Sequence, residues 1–170
     1  MSLVADIRRY THEDDSCPML RDSQITVEPG HITCLFGLSG SGKTTLIRIL
    51  LGCARGQFDG KIELHTEDRT YDAQSMCDQG LVGVITQGSD LIPWLRVIDN
   101  IALPARLNPH LSRPSNGKIE QLCDRINIPK PLLQRFPHEV SFGQRHRIAF
   151  VRAVAYSPRL LLLLRGSVNT

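Results

Sequence analysis

The stretch Ile32-Thr33-Cys34-Leu35-Phe36-Gly37-Leu38-Ser39-Gly40-Ser41-Gly42-Lys43-Thr44 decides the fold. Its first five residues are compact and mostly apolar, as in a strand buried on both faces of a parallel sheet. The next eight satisfy G-x-x-x-x-G-K-[ST] in full. Leu46, Ile47, Ile49, Leu50 and Leu51 then predict a helix that ends at Gly52. A chance match to the eight-residue pattern in a chain of this length has odds of about one in two hundred, before the strand–loop–helix context is counted.

The residue types suit one chemistry. Gly37, Gly40 and Gly42 let the backbone curl so that its N–H groups, with the helix N-terminus behind them, converge on a phosphate. Lys43 supplies a cation for the β- and γ-phosphates, and the Thr44 hydroxyl suits Mg²⁺. The alternative is a glycine-rich turn that binds nothing. A dinucleotide site is disfavoured, because G-x-G-x-x-G would require a small residue where Thr45 stands. The loop does not by itself choose among kinases, GTPases, motors and transport ATPases. The chain lacks the N-K-x-D motif that reads guanine.

Before the loop, strands are expected over Leu3–Tyr10 and Ile25–Val27, then a turn at Glu28-Pro29-Gly30. After it, Asp59-Gly60 reads as a turn into the strand Lys61–Leu64. Leu81–Ile85 reads as a second buried strand, ending at Thr86-Gln87. From Leu103, Pro104, Pro109, Pro114 and Asn116-Gly117 predict a loop-rich stretch leading to a helix over Lys118–Ile126, with Ile119, Leu122, Cys123 and Ile126 on one face. A further helix is expected from Ser141, a candidate N-cap, to a stop at Ser157-Pro158, followed by Leu160–Leu164 as a central strand.

Composition narrows the classes. A chain of 170 residues with 41% hydrophobic and 22% charged residues is one folded domain rather than a disordered or fibrous chain. A net charge of +3 with scattered basic residues argues against a nucleic-acid partner. The longest aliphatic run, Leu160–Leu164, is far short of the roughly 20 residues that cross a bilayer. The N-terminus lacks a signal pattern, so a cytoplasmic location is expected. Five cysteines without a C-x-x-C pair fit reduced thiols.

Val140-Ser141-Phe142-Gly143-Gln144-Arg145-His146-Arg147 resembles the signature motif of the ATP-binding-cassette (ABC) ATPases, commonly L-S-G-G-Q followed by a helix rich in R-x-R. Tyr10, 33 positions before Lys43, resembles the A-loop aromatic that stacks on adenine, with an edge-strand aromatic as the alternative. Gln87 resembles the Q-loop glutamine that touches Mg²⁺ and the attacking water, or is an ordinary strand-end polar residue. The segment Leu91–Ile101, with Pro93-Trp94, is similar to the corresponding segment of nitrate, sulfonate and taurine importer ATPases, and it disfavours ABC ATPases of DNA repair or translation. Trp94 is expected in a seam or a partner contact.

The resemblance implies a P-loop NTPase (RecA-like) α/β core with an antiparallel β subdomain and an α-helical insertion, and a sheet incomplete at the C-terminus. It implies a nucleotide-binding core over 1–102, a signature subdomain over 103–156, and a remnant strand and tail over 157–170. ATP and Mg²⁺ would be held by Tyr10, Gly37, Ser39, Gly40, Ser41, Gly42, Lys43, Thr44, Thr45 and Gln87, with Thr44 and Gln87 on the metal. Ser141, Gly143 and Gln144 would face the nucleotide of a second ATP-binding subunit, in a homodimer or heterodimer. Membrane permease subunits would hold the pair at the inner face of the cell membrane.

Two departures matter. Phe142 stands where the signature has glycine. After Pro158-Arg159-Leu160-Leu161-Leu162-Leu163, the places of the Walker B Asp, the catalytic Glu and the following Pro are taken by Leu164, Arg165 and Gly166. A leucine and an arginine can neither hold a metal's water shell nor polarise an attacking water, and losing such a base costs on the order of 10²- to 10⁴-fold in rate. The expectation is therefore impaired hydrolysis, with the residues from Leu164 onward an altered tail from a frameshift, truncation or decayed gene. The competing reading is a non-catalytic nucleotide-binding fragment with no transport role.

Overall fold

The computed structural model describes residues 1–14, 16–38, 40–86 and 88–164, so Ser39, Gln87, Arg165 and Gly166 lie outside the described residues. The chain divides into two compact units, one over Met1–Cys77 and a second that begins at Asp78.

The first unit is built on an antiparallel sheet. Strands β1 (Ser2–His12), β2 (Leu20–Val27), β3 (Gly56–His65) and β4 (Thr70–Asp72) lie in the order β2-β1-β3-β4. Alternation buries Leu3, Ala5 and Ile7 on one face of β1, and Ile62 and Leu64 are buried from β3. Between Ile7 and Arg9 the register against β3 slips, so Arg8 is extra and the phase of β1 reverses beyond it. A strict period of two continued from Ile7 would turn Arg9 to the core; the bulge turns Tyr10 there instead.

Asp59-Gly60 is not the expected turn. Both residues lie inside β3, opposite Arg9 and Ile7, and a Cβ at Gly60 would collide with the carbonyl oxygen of Asp6. Helix α1 (Lys43–Leu50) buries Leu46, Ile47, Ile49 and Leu50. It ends as expected at Gly52: with φ of 64°, the glycine lets Gly52 N–H donate to Ile49 O and Cys53 N–H to Arg48 O, at 2.9 Å each. Helix α2 (Ala73–Asp78) follows β4 with Met76 fully buried.

The expected buried strand Ile32–Phe36 is absent. Those residues form exposed coil, with Ile32 and Phe36 each 92% accessible. Among the described residues no strand pairs with them, and a lone strand cannot satisfy its own N–H and C=O groups or cover its side chains.

The second unit is mainly helical. Strands β5 (Val82–Ile85) and β6 (Leu160–Leu163) pair in parallel, Val82 opposite Leu160 through Ile85 opposite Leu163. Among the described residues β5 is the one neighbour of β6, so the leucine run is not the central strand its composition suggested, and Leu163 is exposed.

Helices α3 (Val97–Leu107), α4 (Asn116–Arg125) and α5 (Phe142–Val154) enclose a core of Val97, Ile101, Ile119, Cys123, Ile148 and Val151. Pro104 lies within α3 and Asn116-Gly117 opens α4, where loop had been expected. The core position of Ile101 and the Ser115 cap, whose Oγ accepts from Lys118 N–H at 3.2 Å, outweigh those local breakers. Leu122 and Ile126 flank Ile119 and Cys123 on the expected apolar face. No helix among the described residues is long and apolar enough to cross a membrane.

Candidate nucleotide site

In the first unit, the glycine loop delivers its backbone to the start of α1. Gly40 and Gly42 adopt φ of 80° and 85°, conformations that a side chain would strain, and Gly42 is the residue before the first helical turn. The first intrahelical bond there is Leu46 N–H to Gly42 O at 2.8 Å, leaving the N–H groups of Lys43, Thr44 and Thr45 without helical acceptors. No acidic residue lies in that turn to neutralise the positive end of the dipole. Thr44 is exposed beside them.

Lys43 folds back over the loop. Its ammonium donates to Gly37 O at 2.7 Å, Leu38 O at 2.6 Å and Ser41 Oγ at 3.1 Å. The ammonium is thus held by two loop carbonyls and a hydroxyl, acceptors of the kind that phosphate oxygens would replace. A Cβ on Gly37 would lie 2.7 Å from Ser41 Oγ, so a side chain there would displace the hydroxyl that accepts from Lys43.

Tyr10 is not presented as expected. Its ring is 1% exposed and its hydroxyl donates to Arg55 O at 2.6 Å, so no face is free for a base. The bulge at Arg8 is the cause. Nor is it an edge-strand residue, since β1 has β2 and β3 on its two sides.

In the second unit, Ser141 caps α5. Its Oγ accepts from Gln144 N–H at 3.3 Å, and Gln144 Oε1 accepts from Ser141 N–H at 2.8 Å, a reciprocal capping box. Gly143 borders open space. Phe142, 63% exposed, packs its ring 4.4 Å from that of His146 and beneath the Arg145 guanidinium at 5.8 Å. The arginines of α5 fasten backbone. Arg147 donates to Ile126 O and Asn127 O at 3.0 and 2.9 Å, near the C-terminal end of α4, where a cation is favoured. Arg152 donates to Asp90 O at 2.7 Å and Ser89 O at 3.0 Å, and its burial lowers its pKa.

Asn100 was missed by sequence reasoning. It is fully buried on α3; its Oδ1 accepts from Ile92 N–H at 2.6 Å, and its Nδ2 donates to Ile92 O at 3.1 Å and Leu95 O at 3.0 Å. It thereby pins the turn that carries Trp94, which is exposed. The one available signal was a polar residue on the apolar face of a helix, between Val97 and Ile101.

The loop and first turn fit a polyphosphate: they offer N–H donors without helical acceptors among the described residues, a dipole and the Lys43 ammonium. For Mg²⁺ the described residues offer little beside those phosphates. Thr44 contributes one hydroxyl, the residue after β6 is Leu164, and no group of three His, Cys, Asp or Glu side chains among the described residues could hold a metal.

A strand pair in parallel, an antiparallel sheet and a glycine loop capping a helix define a P-loop nucleotide-binding fold. Solved structures agree on that fold. The chain superposes on the ATP-binding cassette MJ0796, in a structure described as a dimeric post-hydrolysis state bound to ADP and Pi, with a TM-score of 0.74 at 19% identity, covering 96% of this chain and 73% of that one. It superposes on cbiO1 from Clostridium perfringens with a TM-score of 0.72 at 20% identity, covering 94% and 64%.

The profile of the ABC transporter family matches residues 20–163, and the chain belongs to that family. Among its relatives, the sulfate/thiosulfate import ATP-binding protein CysA 1 of Agrobacterium fabrum is 35% identical over 157 residues, 90% of this chain and 44% of that protein. CysA of Halalkalibacterium halodurans is 36% identical over 166 residues, 96% and 45%. The chain spans less than half the length of these relatives. Their names carry sulfate and thiosulfate, which corrects the narrower likeness to nitrate, sulfonate and taurine importers.

Proposed function

We propose that this chain is an ATP-binding subunit of an ABC importer that holds nucleotide by its phosphates and hydrolyses it far more slowly than a relative that carries the Walker B carboxylates. The observation that carries the reading is the start of α1, where left-handed Gly40 and Gly42 feed three N–H groups without helical acceptors and Lys43 sits on the loop. Phosphates replace the carbonyl contacts of Lys43, which then pairs with phosphate oxygens. Gly37, Ser39, Gly40, Ser41, Gly42, Thr44 and Thr45 complete the cradle, and Gln87 is assigned to the same nucleotide. Mg²⁺, carried in on the phosphates, would neutralise their charge.

Within this reading, residues 1–102 act as the nucleotide-binding core, 103–156 as the signature subdomain and 157–170 as the remainder of the Walker B strand. Ser141, Gly143 and Gln144 are offered to the nucleotide of a second ATP-binding subunit. The open space at Gly143, and a Phe142 ring folded back onto His146, support that use. Permease subunits would take the face bearing exposed Trp94 and keep the pair at the inner side of the membrane. The names of the relatives support a small inorganic oxyanion as the cargo.

Slow hydrolysis follows from Leu164. Its N–H donates to Ile85 O at 2.8 Å, which continues the ladder to where the family's carboxylate stands, but the side chain is aliphatic. A second reading, nucleotide binding without transport, is favoured by the exposed run Ile32, Phe36 and Leu38. Phosphate release by the purified chain, with Lys43→Ala as control, tests the rate: release indistinguishable from the control is expected, and robust Lys43-dependent turnover would overturn it. Co-purification with a permease supports transport; a monomer that takes up apolar dye and finds no permease supports the second reading.

A further inference from the structure

Outside the phosphate loop, the β3–β4 hairpin aligns three side chains whose chemistry the nucleotide reading does not use. Ile62 and Leu64 of β3 are buried, so period-two alternation turns Glu63 and His65 to the other face of the sheet. The register sets His65 opposite Thr70 and Glu63 opposite Asp72. His65 Nδ1 and Thr70 Oγ1 are thereby brought to 3.0 Å, a hydrogen bond, and His65 Nε2 lies 3.8 Å from Glu63 Oε2. Glu63 is itself fixed, with Oε1 2.9 Å from the Lys61 ammonium.

A hydroxyl, an imidazole within hydrogen-bond reach and a carboxylate beside the second ring nitrogen are the parts of an activated nucleophile. The two distances fix the roles. For the Thr70 hydroxyl to donate to Nδ1, the ring must carry its own proton on Nε2, the nitrogen that faces Glu63. When Nδ1 takes the Thr70 proton, the imidazolium that forms has a carboxylate next to it. The other charged groups of the hairpin are engaged elsewhere: Asp72 accepts from Ser75 N–H at 2.7 Å, and the Arg69 guanidinium lies over the Tyr71 ring. Thr70 is exposed, so an electrophile can reach its hydroxyl. Thr66 in the same hairpin is the contrast, since its Oγ1 donates to Arg69 O at 2.8 Å and its proton is committed to that carbonyl.

We propose that Thr70 is an acyl-accepting site, with His65 as its general base, for activated acyl donors such as aryl esters and thioesters. Thr70 Oγ1 forms a bond to the acyl carbon as its proton passes to His65 Nδ1. The bond from that carbon to the phenolate or thiolate breaks, and the leaving group departs with the bonding pair. The imidazolium then returns its proton to the leaving group or to water, which leaves an ester on Thr70 and a neutral ring. Glu63 is a positioning residue that acts through the imidazolium. The inference does not depend on the nucleotide reading.

The test incubates the full chain with p-nitrophenyl acetate and maps the acetyl groups by peptide mass spectrometry, with Thr66 as the reference hydroxyl. Thr70 should acetylate on the order of a hundredfold faster than Thr66, the low end of what a positioned base supplies. His65→Gln, which keeps a hydrogen-bonding side chain but no base, should bring Thr70 down to the Thr66 rate, whereas Thr70→Ser should keep the reaction. Glu63→Gln should slow it about two- to fivefold, the worth of an exposed ion pair, and added salt should slow the unmodified chain but not that variant. Acetylation of Thr70 no faster than of Thr66, or at the same rate in His65→Gln, would overturn the proposal.

Discussion

The phosphate-loop segment and the signature segment are both motif sequences, yet they differ in how they are held. Residues 141–154 carry their own start and their own seat: a reciprocal cap at Ser141 and Gln144, with Ile148, Ala149, Val151 and Ala153 buried behind it. Residues 32–38 carry neither, and Ile32 and Phe36 face solvent. A helix satisfies its backbone within itself and needs one covered face; a strand needs neighbours to satisfy its backbone at all. The chemistry proposed for Gly37–Thr44 does not turn on this difference, because it would be made by the loop and the helix that follows, which do not depend on a ladder.

The largest contrast should appear on truncation. Ile148→Ala, in the core of the second unit, should cost about 2–5 kcal/mol in a urea melt. Phe36→Ala should stay within about 0.5 kcal/mol. Equal losses would mean that Phe36 is covered and that the contrast is wrong.

Thiol labelling gives the next effect. Cys34 lies in the exposed segment and Cys123 is buried on α4, where burial, with Asp124 and Glu120 nearby, pushes its thiol up from 9.0 to about 11. The thiolate is the reactive form. At pH 8 that shift alone should slow Cys123 about a hundredfold, tenfold per unit. Labelling of Cys123 should accelerate as pH rises towards 11, the neutral thiol dominating below. Cys34 should label at once; comparable rates at pH 8 would break the comparison from the other side.

The smallest effect is local. Ser141→Ala removes the acceptor for Gln144 N–H and should destabilise the second unit by about 1 kcal/mol, leaving the first unit unchanged. A loss below about 0.3 kcal/mol would mean that the capping box contributes little to holding the signature segment.

Much of this was legible from residue order. Local chemistry read well: the glycine stop of α1 at Gly52, the Ser141 cap and the Ile119–Cys123 face each depend on a few neighbouring residues. What failed depended on partners. Apolar composition in Ile32–Phe36 and Leu160–Leu163 expresses a need for neighbouring strands without supplying them. The Tyr10 assignment failed on one extra residue, Arg8, because a bulge reverses every side chain beyond it and leaves no mark in hydrophobic pattern. Pro104 and Asn116-Gly117 misled in the opposite direction: local breakers were outweighed by a core residue on α3 and a serine cap on α4. Of the site, the loop and cap were visible in sequence, whereas Asn100 required the geometry of a turn.

The central claim is that the start of α1 holds a nucleotide's phosphates through Lys43 and the loop amides without needing a Walker B carboxylate. Calorimetric titration of ATP onto the full chain and onto Lys43→Ala, with and without EDTA, tests it most directly. Saturable binding is predicted, weakened about ten- to hundredfold by Lys43→Ala, the range a charge-assisted hydrogen bond supplies, and changed less than about twofold by EDTA. No saturable binding, or binding indifferent to Lys43, would contradict it.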